Sequence, residues 1–165
     1  MVFYEDDAGL IFTSSSTPNT ALGAQYMKPG ATRSLFIRKL TCGGADTART
    51  NLNALIYQLI VWSSTATVIN TGTSITPAPQ DPGMQAAKHT AGACTGQGGT
   101  ALTNGTGGPL LKGKTTSSLT GAGYWQEQNI DASPLVEGGA TMSADIRVTS
   151  PIASALCSVS ASTAE

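Results

Sequence analysis

Met142-Ser143-Ala144-Asp145-Ile146-Arg147-Val148-Thr149 is the stretch whose reading decides the fold. Met142, Ala144, Ile146 and Val148 are apolar, and the residues between them are polar. Side chains of an extended strand point alternately to its two faces, so this spacing marks an antiparallel strand with one face buried and the other wet. The next segment, Ile152 to Ala161, keeps the rhythm with Ala153, Ala155, Cys157 and Val159 on one face. Upstream, Ala54 to Ser64 (ALIYQLIVWSS) is the most apolar part of the chain. Its β-branched and aromatic residues favour a central strand over a helix, and Thr65 to Asn70 either continues it or forms its partner. Arg33 to Cys42 (RSLFIRKLTC) is a further strand, partly apolar in both phases. Gly43-Gly44-Ala45-Asp46 then reads as a turn.

The remaining segments read as turns, loops and short strands. Residues 1–32 read as an extended N-terminal arm or an edge strand. They hold one apolar piece, Gly9-Leu10-Ile11-Phe12-Thr13, followed by breakers at Pro18, Gly23, Pro29 and Gly30. That piece is suited to adding a strand to a sheet edge of its own domain or of a neighbour. Residues 72–121 are mostly Gly, Thr, Pro and Ala and read as loop-rich, with a hairpin turn at Asn104-Gly105. Gly123 to Gln128 reads as a short strand with Trp125 turned inward, and Ser133 to Gly139 as a loop into a hairpin. Short strands at even spacing between Gly/Pro turns predict an all-β, jelly-roll-like antiparallel β-sandwich over residues 33–165, carrying the arm at 1–32.

Composition agrees with this class. Of 165 residues, only 12% are charged, against a usual ~25%, and 40% are apolar. Gly, Ala, Ser and Thr make up roughly half of the chain. A helical bundle needs Leu, Glu, Lys and Arg at regular spacing, and they are scarce here. The net charge of −1 supplies no basic field for phosphates, so no nucleic-acid partner is expected. The longest apolar run, Ala54 to Trp62, is about half of what a membrane-spanning helix needs, so no membrane partner is expected either. The acidic opening MVFYEDD is not a secretory signal. The first Met suggests a complete chain, made in the cytoplasm and released by a route other than secretion.

Several residues invite a chemical reading. Gly108-Pro109-Leu110-Leu111-Lys112-Gly113-Lys114-Thr115 fits the phosphate-binding pattern GxxxxGK[ST]. That chemistry needs an apolar strand before the first glycine and a helix opening at the Lys-Thr pair, so that amide groups cradle phosphate. Neither flank supplies one, and a basic surface loop is the better reading. His89 is the one histidine, with no GxSxG elbow to give it a nucleophile, and reads as a surface or strand residue. Glu5-Asp6-Asp7 reads as a solvated charge run on the arm. Glu127 and Asp131 form a weak carboxylate pair with nothing to fix their separation. Tyr57, Trp62, Tyr124 and Trp125 read as core before sugar platform. Asn104-Gly105-Thr106 has the form of a glycosylation acceptor without the secretory route. Cys42, Cys94 and Cys157 are odd in number and widely spaced, which disfavours zinc. They read as reduced apolar fillers, with a single disulfide left open. No catalytic residue, metal or cofactor is expected.

The order of these segments carries a resemblance. Leu35-Phe36-Ile37-Arg38-Lys39 leads through Gly43-Gly44-Ala45-Asp46-Thr47-Ala48 to Leu55-Ile56-Tyr57-Gln58-Leu59-Ile60-Val61. A Gly/Thr/Pro-rich middle follows, then Pro134-Leu135-Val136, a Gly-Gly hairpin, and Ile146-Arg147-Val148. From Arg33 onward the chain resembles the small jelly-roll structural proteins of tailed bacteriophages, capsid cement (decoration) proteins among them. The resemblance implies a virion location on the outer capsid surface, the major capsid protein as partner, and a homotrimer at capsomer junctions. It carries no catalytic residues. Leu10, Ile11 and Phe12 of the arm are the candidate capsid or subunit contact. The competing expectations are a receptor- or glycan-binding head of a phage fibre or tail, and a small enzyme.

Overall fold

The computed structural model describes residues 1–7, 12–14, 16–45, 54–62, 73–93, 109–118, 122–126, 135–138 and 142–165. Among these residues the chain forms no helix. It forms strands β1 (Phe3–Asp7), β2 (Phe12–Thr13), β3 (Ala21–Lys28), β4 (Leu35–Ala45), β5 (Ala54–Trp62), β6 (Thr73–Ile75) and β7 (Ala78–Pro79). β8 (Thr90–Ala93), β9 (Pro109–Ser118), β10 (Ala122–Gln126), β11 (Leu135–Val136), β12 (Ser143–Thr149) and β13 (Leu156–Ala164) complete the set. They make two antiparallel sheets, the architecture of a β-sandwich. One sheet runs β10-β4-β13-β1-β7, with β11 also on β4 and β2 also on β13; the other runs β6-β8-β3-β12-β5-β9.

Eight strands build the body. In one sheet they stand in the order β1-β13-β4-β10, in the other β3-β12-β5-β9. Apart from the step from β5 to β9, each passage to the next of the eight changes sheet. Neighbours in sequence therefore mostly lie in opposite sheets, and hydrogen-bonded neighbours come from distant parts of the chain. Phe3 pairs with Ala164, and Ala144 pairs with Met27. The outermost strands are also joined by the chain: β6 leads into β7, and β9 leads into β10, against which it packs. Sheet changes on both sides shield edges that would otherwise offer unpaired backbone to other chains.

The core follows from alternation. Leu55, Tyr57, Leu59 and Val61 of β5 are fully buried, while Ile56, Gln58 and Ile60 are partly exposed. Ala144, Ile146 and Val148 of β12 meet Leu35, Ile37, Leu40 and Cys42 of β4 in the same cluster. Each large side chain so buried stabilises the fold by about 1.5–3 kcal/mol relative to exposure.

The structure corrects the sequence reading at several points. Within residues 1–32, Phe3–Asp7 and Ala21–Lys28 are paired strands and not free arm. β1 lies between β13 and β7, and β3 lies between β12 and β8, with Tyr4, Leu22, Ala24 and Met27 in the core. Ala21–Lys28 satisfies its backbone groups in two ladders, which overrides the breaker signals around it. Gly43 and Gly44 do not turn but continue β4. Gly43 pairs with Ala122 and Ser158, and a Cβ on Gly43 would sit 2.9 Å from the Ser158 hydroxyl, which would have to turn aside. The strand expected from Ile152 begins at Leu156, after a turn in which Ser154 takes φ 54°. The polar face of β12 is not wet: Asp145 is 1% exposed, and accepts a hydrogen bond from Arg147 Nε at 2.9 Å. The region 72–121 contains β6, β7, β8 and β9 rather than loops alone. Thr65 to Asn70 and the Asn104-Gly105 turn lie outside the described residues.

Candidate functional site

Three buried ionisable side chains, Asp6, His89 and Glu165, converge at one place. Asp6 sits on β1, whose inward positions are Tyr4 and Asp6. Thr163 faces inward near the end of β13, followed by Glu165. His89 directly precedes β8. Pairing of β1 with β13 places Asp6 and Thr163 side by side, and the segment before β8 lays His89 against both.

The ring of His89 is held at both nitrogens. Nε2 lies 3.0 Å from Asp6 Oδ1 and 3.1 Å from Oδ2, and Nδ1 lies 2.6 Å from Glu165 Oε1. All three side chains are 0–1% exposed. The Glu165 carboxylate also accepts the backbone N–H groups of His89, at 2.6 Å, and Lys88, at 3.0 Å. Thr163 Oγ1 donates to Asp6 Oδ2 at 3.0 Å. From β3, Gln25 donates its side-chain amide to the Asp6 carbonyl at 3.0 Å. The Tyr4 ring meets the imidazole edge-on, with centroids 5.3 Å apart, and its hydroxyl donates to the Gln85 carbonyl at 3.1 Å.

Electrostatics follows from this geometry. A neutral imidazole has one N–H donor, whereas here each nitrogen faces a carboxylate oxygen, an arrangement that suits the doubly protonated ring. Burial is the largest single influence on His89 and opposes its charge. The hydrogen bonds and charges of Asp6, then Glu165, outweigh it, and the His89 pKa is raised above its ordinary 6.5. Burial, and then the nearby Glu165 carboxylate, raise the Tyr4 phenol as well. The assembly is an imidazolium clasped by two carboxylates whose spare acceptors are taken up by amides and a hydroxyl.

This clasp fastens an exposed strap. Residues 80–86 and Lys88 are exposed, with Met84 49% accessible. The strap turns at Gly83, which takes φ 89°. It is tied down by the β1–β7 pairing, by Gln80 N–H on the Phe3 carbonyl at 2.9 Å, and by Gln80 Nε2 on Glu5 Oε1 at 2.6 Å. Gly30 packs against its far end: a Cβ there would lie 2.7 Å from the Lys88 carbonyl oxygen.

The sequence reading treated His89 as a surface or strand residue and Glu5-Asp6-Asp7 as solvated, and both are corrected here. His89 and Asp6 are buried against each other, because β1 is paired and not free. Glu5 accepts bonds from Gln80 and from Ser162 Oγ, the latter at 2.7 Å, and only Asp7 of the three is exposed. The phosphate-binding pattern lies along β9 from Pro109 to Thr115. Gln58 pairs with Lys114 and Leu59 with Gly113, so these residues form an extended ladder instead of a loop. Leu10 and Ile11 lie outside the described residues. Phe12 is on β2, and its backbone pairs with Cys157 of its own chain. Glu127, Asp131 and Asn104-Gly105-Thr106 lie outside the described residues, as do the side chains of Trp62, Tyr124 and Trp125. Tyr57 is core, and its hydroxyl donates to the Gly43 carbonyl at 2.5 Å. Cys42 and Cys157 are buried, and burial pushes the Cys157 thiol up to about 11. Cys94 lies outside the described residues. Among the described residues, no three or more His, Cys, Asp or Glu side chains are grouped to hold a metal.

No protein-family model matches the chain, and no curated protein matches its sequence. Two solved structures align with it. One is a mutant VP2 protein of infectious bursal disease virus in derived T=1 particles, at 14% identity and TM-score 0.23, over 98% of this chain and 39% of that one. The other is the Gx strain of the same virus, at 10% identity and TM-score 0.14, over 93% and 38%. The chain spans about two fifths of the length of either. At these TM-scores neither alignment carries an argument about this chain.

Proposed function

We propose that the chain is a virion structural protein, a cement subunit that binds the outer surface of a phage capsid and stabilises it. The observation that carries this reading is the strand order. β1-β13-β4-β10 packed on β3-β12-β5-β9, with the chain changing sheet at nearly every step, supports reading the sandwich as the double Greek-key winding of a jelly roll. That winding, in a chain of low charge, fits the resemblance to phage cement proteins. A fold alone does not fix a function, so the reading rests on the two together. On this reading the major capsid protein is the partner, the subunit is a homotrimer, and the chain performs no catalysis. Leu10, Ile11 and Phe12 form the contact to a neighbouring subunit or capsid. Weak contacts repeated over an icosahedral shell then add through avidity.

The test is stoichiometry on particles. Purified protein is added to capsids that lack it, and bound copies are counted by mass spectrometry and imaged. A fixed, icosahedrally ordered copy number, with bound capsids surviving heating that opens bare ones, supports the proposal. Sparse binding at tails, or binding to cell-surface glycans, places it instead on a fibre or tail head. Stabilisation by a substrate or metal in the absence of capsids points to an enzyme. Either of these overturns the cement reading.

A further inference from the structure

We propose that His89 is a proton-operated latch: the protonated ring, gripped by Asp6 and Glu165, fastens the exposed strap 80–88 over the β1 side of the sandwich, and loss of that proton loosens the strap. This does not depend on the virion reading.

The inference starts from donors and acceptors. Asp6 and Glu165 approach opposite nitrogens of one buried ring at 3.0 and 2.6 Å. With both nitrogens protonated, each carboxylate receives a charge-assisted hydrogen bond. With one proton gone, a nitrogen lone pair faces carboxylate oxygen in a space that side chains seal to 0–1% exposure. The ionisable groups acting on the ring are Asp6 from β1 and Glu165 beyond β13, while Tyr4 meets its edge and Thr163 bonds to Asp6. Two carboxylates therefore face one cation, and removing its charge leaves them buried without compensation.

The same carboxylate ties the ring to the strap. Glu165 accepts the backbone N–H groups of Lys88 and His89 as well as His89 Nδ1. An imidazole that withdraws from Glu165 takes with it the anchor at one end of the strap. The other anchors, at Ala78–Gln80 and Tyr4–Gln85, do not involve the ring. Opening is thus local, at the Lys88 end.

The sign of the pH dependence follows. The pKa of the closed state is raised, and that of the open state is the ordinary value of about 6.5. Closure is favoured fully below about pH 6.5. Between there and the raised value, the equilibrium for opening rises about tenfold per pH unit, and above it the rise levels off.

Two measurements on the full chain test this. His89 is the one histidine, so its ring gives a single unambiguous NMR titration. The expected midpoint lies above 6.5, with both ring N–H signals present below it; a midpoint at or below 6.5 overturns the proposal. The second readout is tryptic cleavage after the exposed Lys88, followed by mass spectrometry from pH 6.5 to 9 and normalised to an unstructured peptide of the same sequence. Cleavage is expected to rise at up to tenfold per pH unit and then level off. Asp6→Asn, which keeps an acceptor but removes charge, is expected to move both midpoints to lower pH. If that variant does not fold, Glu165→Gln makes the same test. Cleavage independent of pH, or midpoints unmoved in the folded variant, overturns the proposal.

Discussion

Deleting residues 1–30 is the perturbation that most sharply separates the observed architecture from an arm attached to a finished domain. A free arm is dispensable for folding. A pair of strands, one in each sheet, is not. The deletion removes β1 from between β13 and β7, and β3 from between β12 and β8. It also removes Tyr4, Leu22 and Met27, which are 0%, 6% and 0% exposed. At about 1.5–3 kcal/mol each, their burial contributes together about 5–9 kcal/mol. A whole domain is stable by about 5–15 kcal/mol. The backbone partners left open on β12, β13 and β8, and the loss of Asp6 from His89, add to the deficit. The truncated chain is therefore expected to show no cooperative unfolding transition in urea followed by circular dichroism, and to exchange its amides within seconds. Met27→Ala supplies the graded control, with an expected loss of about 2–5 kcal/mol and a retained transition. A truncated chain that unfolds cooperatively at the urea midpoint of the full chain would falsify the assignment of these residues to the core.

Three further outcomes are expected. Gly30→Ala brings a methyl group within 2.7 Å of the Lys88 carbonyl, and should destabilise by about 1–3 kcal/mol in urea while speeding cleavage after Lys88; an unchanged midpoint removes the close approach from the account. Cys42 and Cys157 are buried, and the Cys157 thiol titrates near 11. Neither should be alkylated at pH 8 until urea unfolds the chain, and labelling of either in the native protein, located by mass spectrometry, contradicts that placement. Neither the native protein nor Lys114→Ala should respond to magnesium-ATP, because β9 is a ladder where a phosphate cradle needs a loop and a helix. Tight magnesium-dependent nucleotide binding, lost in the variant, refutes this.

The parts of the fold legible in the sequence are those where one strand carries its own message. β5 announces itself because Leu55, Tyr57, Leu59 and Val61 bury one face while Ile56 and Ile60 keep the other apolar. β12 announces itself through Ala144, Ile146 and Val148. β3 does not: Ala21–Lys28 mixes Gly23 and Gln25 among its apolar residues, and its strand state is fixed by ladders to β12 and β8. β9 is hidden in the same way, since Lys112-Gly113-Lys114-Thr115 has no strand character until β5 pairs with it. Gly43 and Gly44 mislead for the opposite reason. Glycine marks turns by permitting unusual φ, but it also marks places where backbones and side chains crowd, and Ser158 crowds Gly43.

The clasp was beyond local pattern altogether. Asp6, His89 and Glu165 lie 83 and 76 residues apart along the chain, and no spacing rule joins them. What joins them is the pairing of the first strand with the last, which puts Asp6 opposite Ala161 and beside Thr163, and then the approach of the residue preceding β8. One signal was present in the sequence. In a chain with only 12% charged residues, an acidic run beside Phe3 and Tyr4 is poorly explained as a solubilising face. A β-strand rule applied to Phe3–Asp7 places Tyr4 and Asp6 on one side, so that if Tyr4 is core, Asp6 must be buried with it. A buried carboxylate needs a donor, and the lone histidine is one of the side chains able to supply a charged one. The physical demand for a partner was therefore readable before the partner was known. Placing Glu5-Asp6-Asp7 in solvent loses both the strand and the site it carries.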